Sequence, residues 1–131
     1  MHTSAQDYVV KSVRSAAILT SGYVAGTVIG TDMPLYQQNQ LVILVDFTIG
    51  SLTDASIKVE FSPDNSAFYQ ESFSSISAGV DTVSLGSHKF TGTGKYRIAI
   101  PLKDRYVKIS AIGNGTATNS TMTIDAIVGV A

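Results

Sequence analysis

Apolar residues recur at every second position over much of this chain. Ile57, Val59 and Phe61 alternate with Lys58 and Glu60. Ile98, Ile100 and Leu102 alternate with Arg97, Ala99 and Pro101, and Val107 and Ile109 with Lys108 and Ser110. Met122, Ile124, Ala126 and Val128 alternate with Thr121, Thr123 and Asp125. Successive side chains of a strand point to opposite faces, so each run offers one face to a core and the other to solvent or a partner. Turn-forming clusters punctuate the runs: Gly50-Ser51, Ser62-Pro63-Asp64-Asn65, Ala78-Gly79, Gly92-Thr93-Gly94 and Gly113-Asn114-Gly115. Pro63-Asp64-Asn65 suits a type I turn, because proline fixes φ at its second position.

The pattern predicts strands over 8–20, 23–30, 40–49, 56–61, 67–76, 80–86, 94–101, 105–112 and 120–129. Segment 31–39 reads as a loop. The nearest approach to a helix is 8–19, where valine, isoleucine and the nearby Gly22 favour a strand instead. Short strands with frequent turn signals predict an all-β fold. The expected architecture is an antiparallel β-sandwich, jelly-roll-like, with eight to nine strands and no significant helix. It fills 8–131 as one domain behind a flexible N-terminal arm over 1–7.

Segment 40–49 departs from simple alternation. Leu41, Ile43, Val45 and Phe47 share one face, yet Val42 and Leu44 make the other apolar too. A strand apolar on both faces is covered twice, by a second layer of its own chain or by another subunit. Val42 and Leu44 are therefore expected at an interface. Tyr8, Val9 and Val10 beside the arm, and Tyr36 in the loop, are expected there with them.

Composition narrows the function classes. The 131 residues include 9 basic and 10 acidic side chains, and charged residues make up only 15%. The basic excess of a nucleic-acid binder is missing. There is no cysteine, which excludes disulfides and thiolate metal sites. The longest apolar run, Leu41-Val42-Ile43-Leu44-Val45, is strand-sized and far short of a membrane-spanning helix. Met1 to Asp7 lacks the charged-then-apolar order of a signal peptide, which predicts synthesis in the cytoplasm. Under that expectation Asn114-Gly-Thr116 and Asn119-Ser-Thr121, which match the glycosylation sequon, are polar loop residues.

Candidate chemistry is sparse. Of the two histidines, His2 is in the arm and His88 at a loop or strand edge. A Ser-His-Asp set would need His88 gathered with a serine and an acid, and no Gly-x-Ser-x-Gly elbow accompanies it. The acids Asp7, Asp32, Asp46, Asp54, Glu60, Asp64, Glu71, Asp81, Asp104 and Asp125 sit mainly at turns and outward strand positions. A catalytic pair would have to face across a cleft. No His/Cys spacing suits zinc. Asp64-Asn65-Ser66 offers consecutive oxygens for calcium but is explained as a turn. Gly92-Thr93-Gly94 leads into a strand rather than a phosphate-holding helix. Phe68-Tyr69, Tyr96 and Tyr106 could stack on sugars, although the chain has no tryptophan. The expectation is a non-enzyme with no catalytic residues, cofactor or metal.

Two stretches carry a family resemblance. One is Ile57-Lys58-Val59-Glu60-Phe61-Ser62-Pro63-Asp64-Asn65-Ser66-Ala67-Phe68-Tyr69-Gln70-Glu71. The other runs from Gly94-Lys95-Tyr96-Arg97 through Arg105-Tyr106-Val107-Lys108-Ile109 to the loop Gly113-Asn114-Gly115-Thr116-Ala117-Thr118-Asn119-Ser120 and a closing strand. Over roughly residues 40–130 this order resembles small β-sandwich virion proteins of tailed bacteriophages. The frame is also similar to discoidin-like binding domains. Asn65 stands where glycine is common and tolerates left-handed φ. The first resemblance implies a structural protein of a phage particle, a capsid decoration or cement protein made in the host cytoplasm and located in the virion. Its implied partners are copies of itself, in a trimer or other cyclic oligomer, and a major capsid protein or other virion protein; nucleic acid and membrane are not among them. The second implies a carbohydrate-binding module of a tail or fibre, with a glycan site in the loops 64–67 and 113–120.

Overall fold

The computed structural model describes residues 8–30 and 39–129, and within these the side chains from Val10 onward. The arm expected over 1–7 and nearly all of the loop expected over 31–39 lie outside the described residues. Among the described residues every regular element is a strand: β1 (Tyr8–Ala17), β2 (Val24–Ala25), β3 (Ile29–Gly30), β4 (Gln40–Thr48), β5 (Leu52–Ser62), β6 (Tyr69–Gln70), β7 (Ser72–Ser77), β8 (Val80–Leu85), β9 (His88–Phe90), β10 (Gly94–Pro101), β11 (Tyr106–Gly115) and β12 (Thr121–Gly129).

Two sheets face each other. The first has the order β1-β12-β4-β10 and the second β2-β11-β5-β6, every pairing antiparallel. β3 continues the line of β2 along β11, and β9 continues the line of β6 along β5. Counted by line, each sheet has four positions, and the chain crosses between them in the order of a jelly roll.

The alternation seen in the sequence puts Leu41, Ile43, Val45 and Phe47 of β4 and Met122, Ile124, Ala126 and Val128 of β12 on the inner face of the first sheet. Ala55, Ile57, Val59 and Phe61 of β5 and Val107, Ile109 and Ala111 of β11 meet them from the second. Each large side chain so buried contributes about 1.5–3 kcal/mol of transfer free energy. The ring of Phe90 bridges the sheets at one end of the core, 6.1 Å from Phe47 and 4.9 Å from Tyr96 between centroids. The Tyr96 hydroxyl donates to the Gly92 carbonyl at 2.6 Å.

Several strand expectations change in detail, giving twelve strands among the described residues rather than eight or nine. Segment 23–30 forms two short pieces, both along β11, because the line is interrupted between them: the Gly26 N–H still donates to the Ile109 carbonyl, but the Thr27 N–H turns to that of Val13 in β1. A side chain at Gly26 would meet the Val13 carbonyl oxygen at 2.6 Å. β5 begins at Leu52 rather than at 56. Segment 67–76 divides into β6 and β7, and residues 88–90 add β9.

That division is the main departure from a plain jelly roll. Tyr69 and Gln70 pair with Phe61 and Glu60, and His88, Lys89 and Phe90 with Ile57, Ser56 and Ala55. The Glu71 N–H bridges the gap by donating to the Val59 carbonyl at 2.9 Å. β6 and β9 are thus two halves of one edge strand. Between them the chain leaves the sandwich as a hairpin, β7–β8, which forms a sheet of its own.

Candidate interaction surface

The hairpin closes through Ala78 and Gly79, both at positive φ (51° and 78°), the backbone of a type I′ turn. Its register pairs Ser72 with Leu85, Ser74 with Val83 and Ile76 with Asp81 on one face. The other face holds Phe73 with Ser84, Ser75 with Thr82 and Ser77 with Val80. All twelve strand residues are exposed. The first face presents a continuous stripe, Ile76, Val83 and Leu85, at 77, 65 and 70% exposure. The second is polar at its centre. Its Phe73 ring folds back over Gly86, where an added Cβ would overlap it.

Several bonds fix the root of the hairpin. The Gly86 N–H donates to the Glu71 carbonyl at 2.9 Å, and the Gln70 Nε2 donates to the Gly86 carbonyl at 2.8 Å. The His88 Nε2 lies 2.9 Å from the Glu71 Oε1, both side chains largely buried. The strands on either side of the excursion are therefore clasped together where they leave the sheet.

Beside this root lies a groove of about 530 Å³ between the second sheet's edge and the end of β10. Tyr69, Phe73, Phe61, Ile100 and Pro101 give it apolar walls; Glu71, His88, Lys103 and Asp104 are its ionisable groups. The Glu71 carboxylate orients the imidazole as it would a general base. The Ser72 hydroxyl on the same groove instead donates to the Gln70 carbonyl, at 3.5 Å. Among the described residues no three His, Asp or Glu side chains gather as a metal site, and no helix is long and apolar enough to cross a membrane.

The residues expected at an interface are dispersed on the first sheet. Register places Val42 and Leu44 on its outer face, with Val42 between Ile127 and Ala99. Val42 is nonetheless 4% exposed, so it offers no open surface, and Leu44 is half-buried in a shallow depression with Asp46, Lys95, Arg97 and Asp125. Val10, opposite Ile127, is 61% exposed. Tyr8 and Val9 are the backbone partners of Gly129 and Val128, and Tyr36 lies outside the described residues.

The two loops expected to hold a glycan spend their polar groups locally. One Asp64 oxygen accepts from the Ala67 N–H (3.1 Å), the Ser66 N–H (2.9 Å) and the Ser62 hydroxyl (3.0 Å). These bonds hold its pKa below the ordinary value of 3.8. Asn65 takes the left-handed φ of 60° expected of it. In the other loop the Ser51 hydroxyl donates to the Thr116 carbonyl at 2.7 Å and accepts from the Thr118 N–H at 3.1 Å.

The class that fold and surface define is an all-β jelly-roll sandwich whose broken edge strand emits an exposed apolar hairpin. No protein-family model matches the chain, and no curated protein matches it.

Proposed function

We propose that this is a non-enzymatic structural protein of a tailed-phage particle, a capsid decoration or cement protein, whose hairpin β7–β8 is its docking element. The observation behind the reading is the hairpin itself. A two-stranded ribbon is marginal in water, and five of its large apolar side chains, Phe73, Ile76, Val80, Val83 and Leu85, are 58–77% exposed. An exposed apolar surface of this extent marks an interaction site. The resemblance of residues 40–130 to phage virion proteins supplies the kind of partner, a protein shell.

The test is to identify the gene's neighbours and, from a major capsid protein gene among them, to assemble heads for co-sedimentation; a neighbourhood without virion genes refutes the reading. Wild-type protein should pellet with the heads, and the triple substitution Ile76→Asp, Val83→Asp, Leu85→Asp should reduce binding at least tenfold. Full binding by the triple variant, or none by the wild type, refutes the reading.

A second reading, a glycan module of a tail or fibre, is favoured by the groove rather than by the loops. Tyr69, 65% exposed, and Phe73 could stack on a sugar ring above the polar floor of Glu71 and His88. A glycan array with hits that Tyr69→Ala abolishes would favour it over the first.

A further inference from the structure

We infer that the hairpin β7–β8 is carried as a rigid arm at a fixed angle to the sandwich, and that Gly86 is the positioning residue that sets the angle. Its use, as a docking element aimed in advance, rests on the reading above. The rigidity rests on the joint alone.

The joint is built around one divided residue pair. The two-residue turn makes Phe73/Ser84 a pair that exchanges two backbone bonds, and two residues further in the next such pair would be Glu71/Gly86. Only half of it forms. The Gly86 N–H donates to the Glu71 carbonyl at 2.9 Å, but the Glu71 N–H donates instead to the Val59 carbonyl of β5, also at 2.9 Å. Glu71 therefore belongs to the sandwich through its N–H and to the hairpin through its carbonyl. The Gly86 carbonyl, deprived of that N–H, accepts from the Gln70 Nε2 at 2.8 Å. All four backbone groups of the pair are thus bonded, and the His88 Nε2 holds the Glu71 carboxylate at 2.9 Å.

A ring closes the joint from the side. Gly86 is buried although both strands of the hairpin are exposed throughout, because the Phe73 ring lies where a Cβ of residue 86 would stand. Gly86 is not among the residues at positive φ. Close approach, and not backbone freedom, is what requires glycine here.

Neither connection has slack. Only Glu71 stands between β6 and β7, and only Gly86 and Ser87 between β8 and β9. A hinge needs residues that can absorb a change of φ and ψ. For the hairpin to swing, both connections would have to bend together, and the outgoing one has no unbonded residue at which to do so. An arm already held in one direction is not ordered on docking, so it keeps affinity that a loose ribbon would lose.

Residual dipolar couplings of the full chain in a dilute aligned medium read the angle. The N–H couplings of β7 and β8 should fit a single alignment tensor together with those of β4, β5, β11 and β12. Hairpin order parameters should be about 0.85, as for rigid backbone. Gly86→Ala, which displaces the Phe73 ring, should shrink the hairpin couplings at least about twofold. The sandwich couplings and the cross-strand nuclear Overhauser contact between Ser75 and Thr82 should persist. If Gly86→Ala abolishes that contact, Gln70→Ala decides, since it unpairs the Gly86 carbonyl without adding bulk, and it should shrink the couplings in the same way. Averaged couplings in the wild-type hairpin, or couplings of wild-type size in the deciding variant, overturn the inference. Co-sedimentation with heads is scored separately: a fixed arm that binds no heads sinks the docking role alone.

Discussion

Replacing Ala78 by asparagine should slow the opening of the hairpin without changing the stability of the sandwich. Ala78 holds φ at 51°, a left-handed conformation that costs a residue with a Cβ about 1–2 kcal/mol. Asparagine followed by glycine is the preferred pair for a type I′ turn, and asparagine avoids the extra unfolded-state freedom a second glycine would add. The net relief should be about 1 kcal/mol, close to a fivefold drop in the opening constant at 1.4 kcal/mol per decade. Because β7 and β8 pair only with each other and all their residues are exposed, opening is local. Counting outward from the turn, the narrow pairs are Ser77/Val80, Ser75/Thr82 and Phe73/Ser84, each sharing two backbone bonds. Amide hydrogen exchange at Ser75, Thr82, Phe73 and Ser84 should therefore slow about three- to fivefold in Ala78→Asn. The amides of β4 and β12 should keep their wild-type rates. Unchanged exchange in the hairpin, or equal slowing in β4 and β12, would refute both the turn assignment and the independence of the hairpin.

Three other substitutions probe the sandwich. Gly50→Ala should destabilise by more than about 2 kcal/mol, read by urea unfolding, because φ is +55° and a Cβ would meet the Asn119 carbonyl carbon at 2.6 Å. Ser120→Ala should be neutral or stabilising by up to about 1 kcal/mol in the same assay, since the Ser120 hydroxyl is fully buried without a hydrogen-bond partner among the described residues. Asp64→Asn should remove an acid-sensitive part of stability. The folded carboxylate is held below its usual 3.8 by the N–H groups of Ala67 and Ser66 and the Ser62 hydroxyl, so its contribution is complete above that pH and lost as pH falls through the lower folded value. The wild-type advantage over Asp64→Asn, measured by urea unfolding at about pH 6 and about pH 2, should accordingly shrink toward zero at the acid end.

The sandwich was legible where alternation is coupled to burial. In β4, β5, β11 and β12 the period of two marks an inner face, and the register carries those residues into one core. The hairpin shows the limit of that signal. Val83 and Leu85 alternate with Thr82 and Ser84 much as core residues do, while Phe73 and Ile76 fall on opposite faces of β7, and periodicity does not tell whether a second layer covers an apolar face. The serine-rich setting (Ser72, Ser74, Ser75, Ser77 and Ser84) was the available hint, since a strand inside a sandwich needs more bulk on its buried side. The clasp at the root was beyond local reading, because it joins Gln70 and Glu71 to Gly86 and His88 across the whole excursion. Val42 shows the converse limit: a two-faced apolar run left open whether its own chain or another subunit covers the second face, and within the single chain the residue is already buried there beside Ile127.

The broken edge strand gives these features a common physical logic. An exposed sheet edge is a template for indiscriminate pairing, and proteins blunt it with short strands and interruptions. Here the edge beside β5 consists of pieces of two and three residues, each too short to recruit another chain. The opposite edge strand of the first sheet, β10, exposes Lys95, Arg97 and Pro101, which also discourage added strands. Five of the ten exposed large apolar side chains among the described residues, Phe73, Ile76, Val80, Val83 and Leu85, lie instead on a hairpin whose turn fixes its register and whose root is clasped by Glu71 and His88. Association through side chains at a defined stripe is selective in a way that backbone edges are not, because it depends on where Ile76, Val83, Leu85 and Asp81 fall.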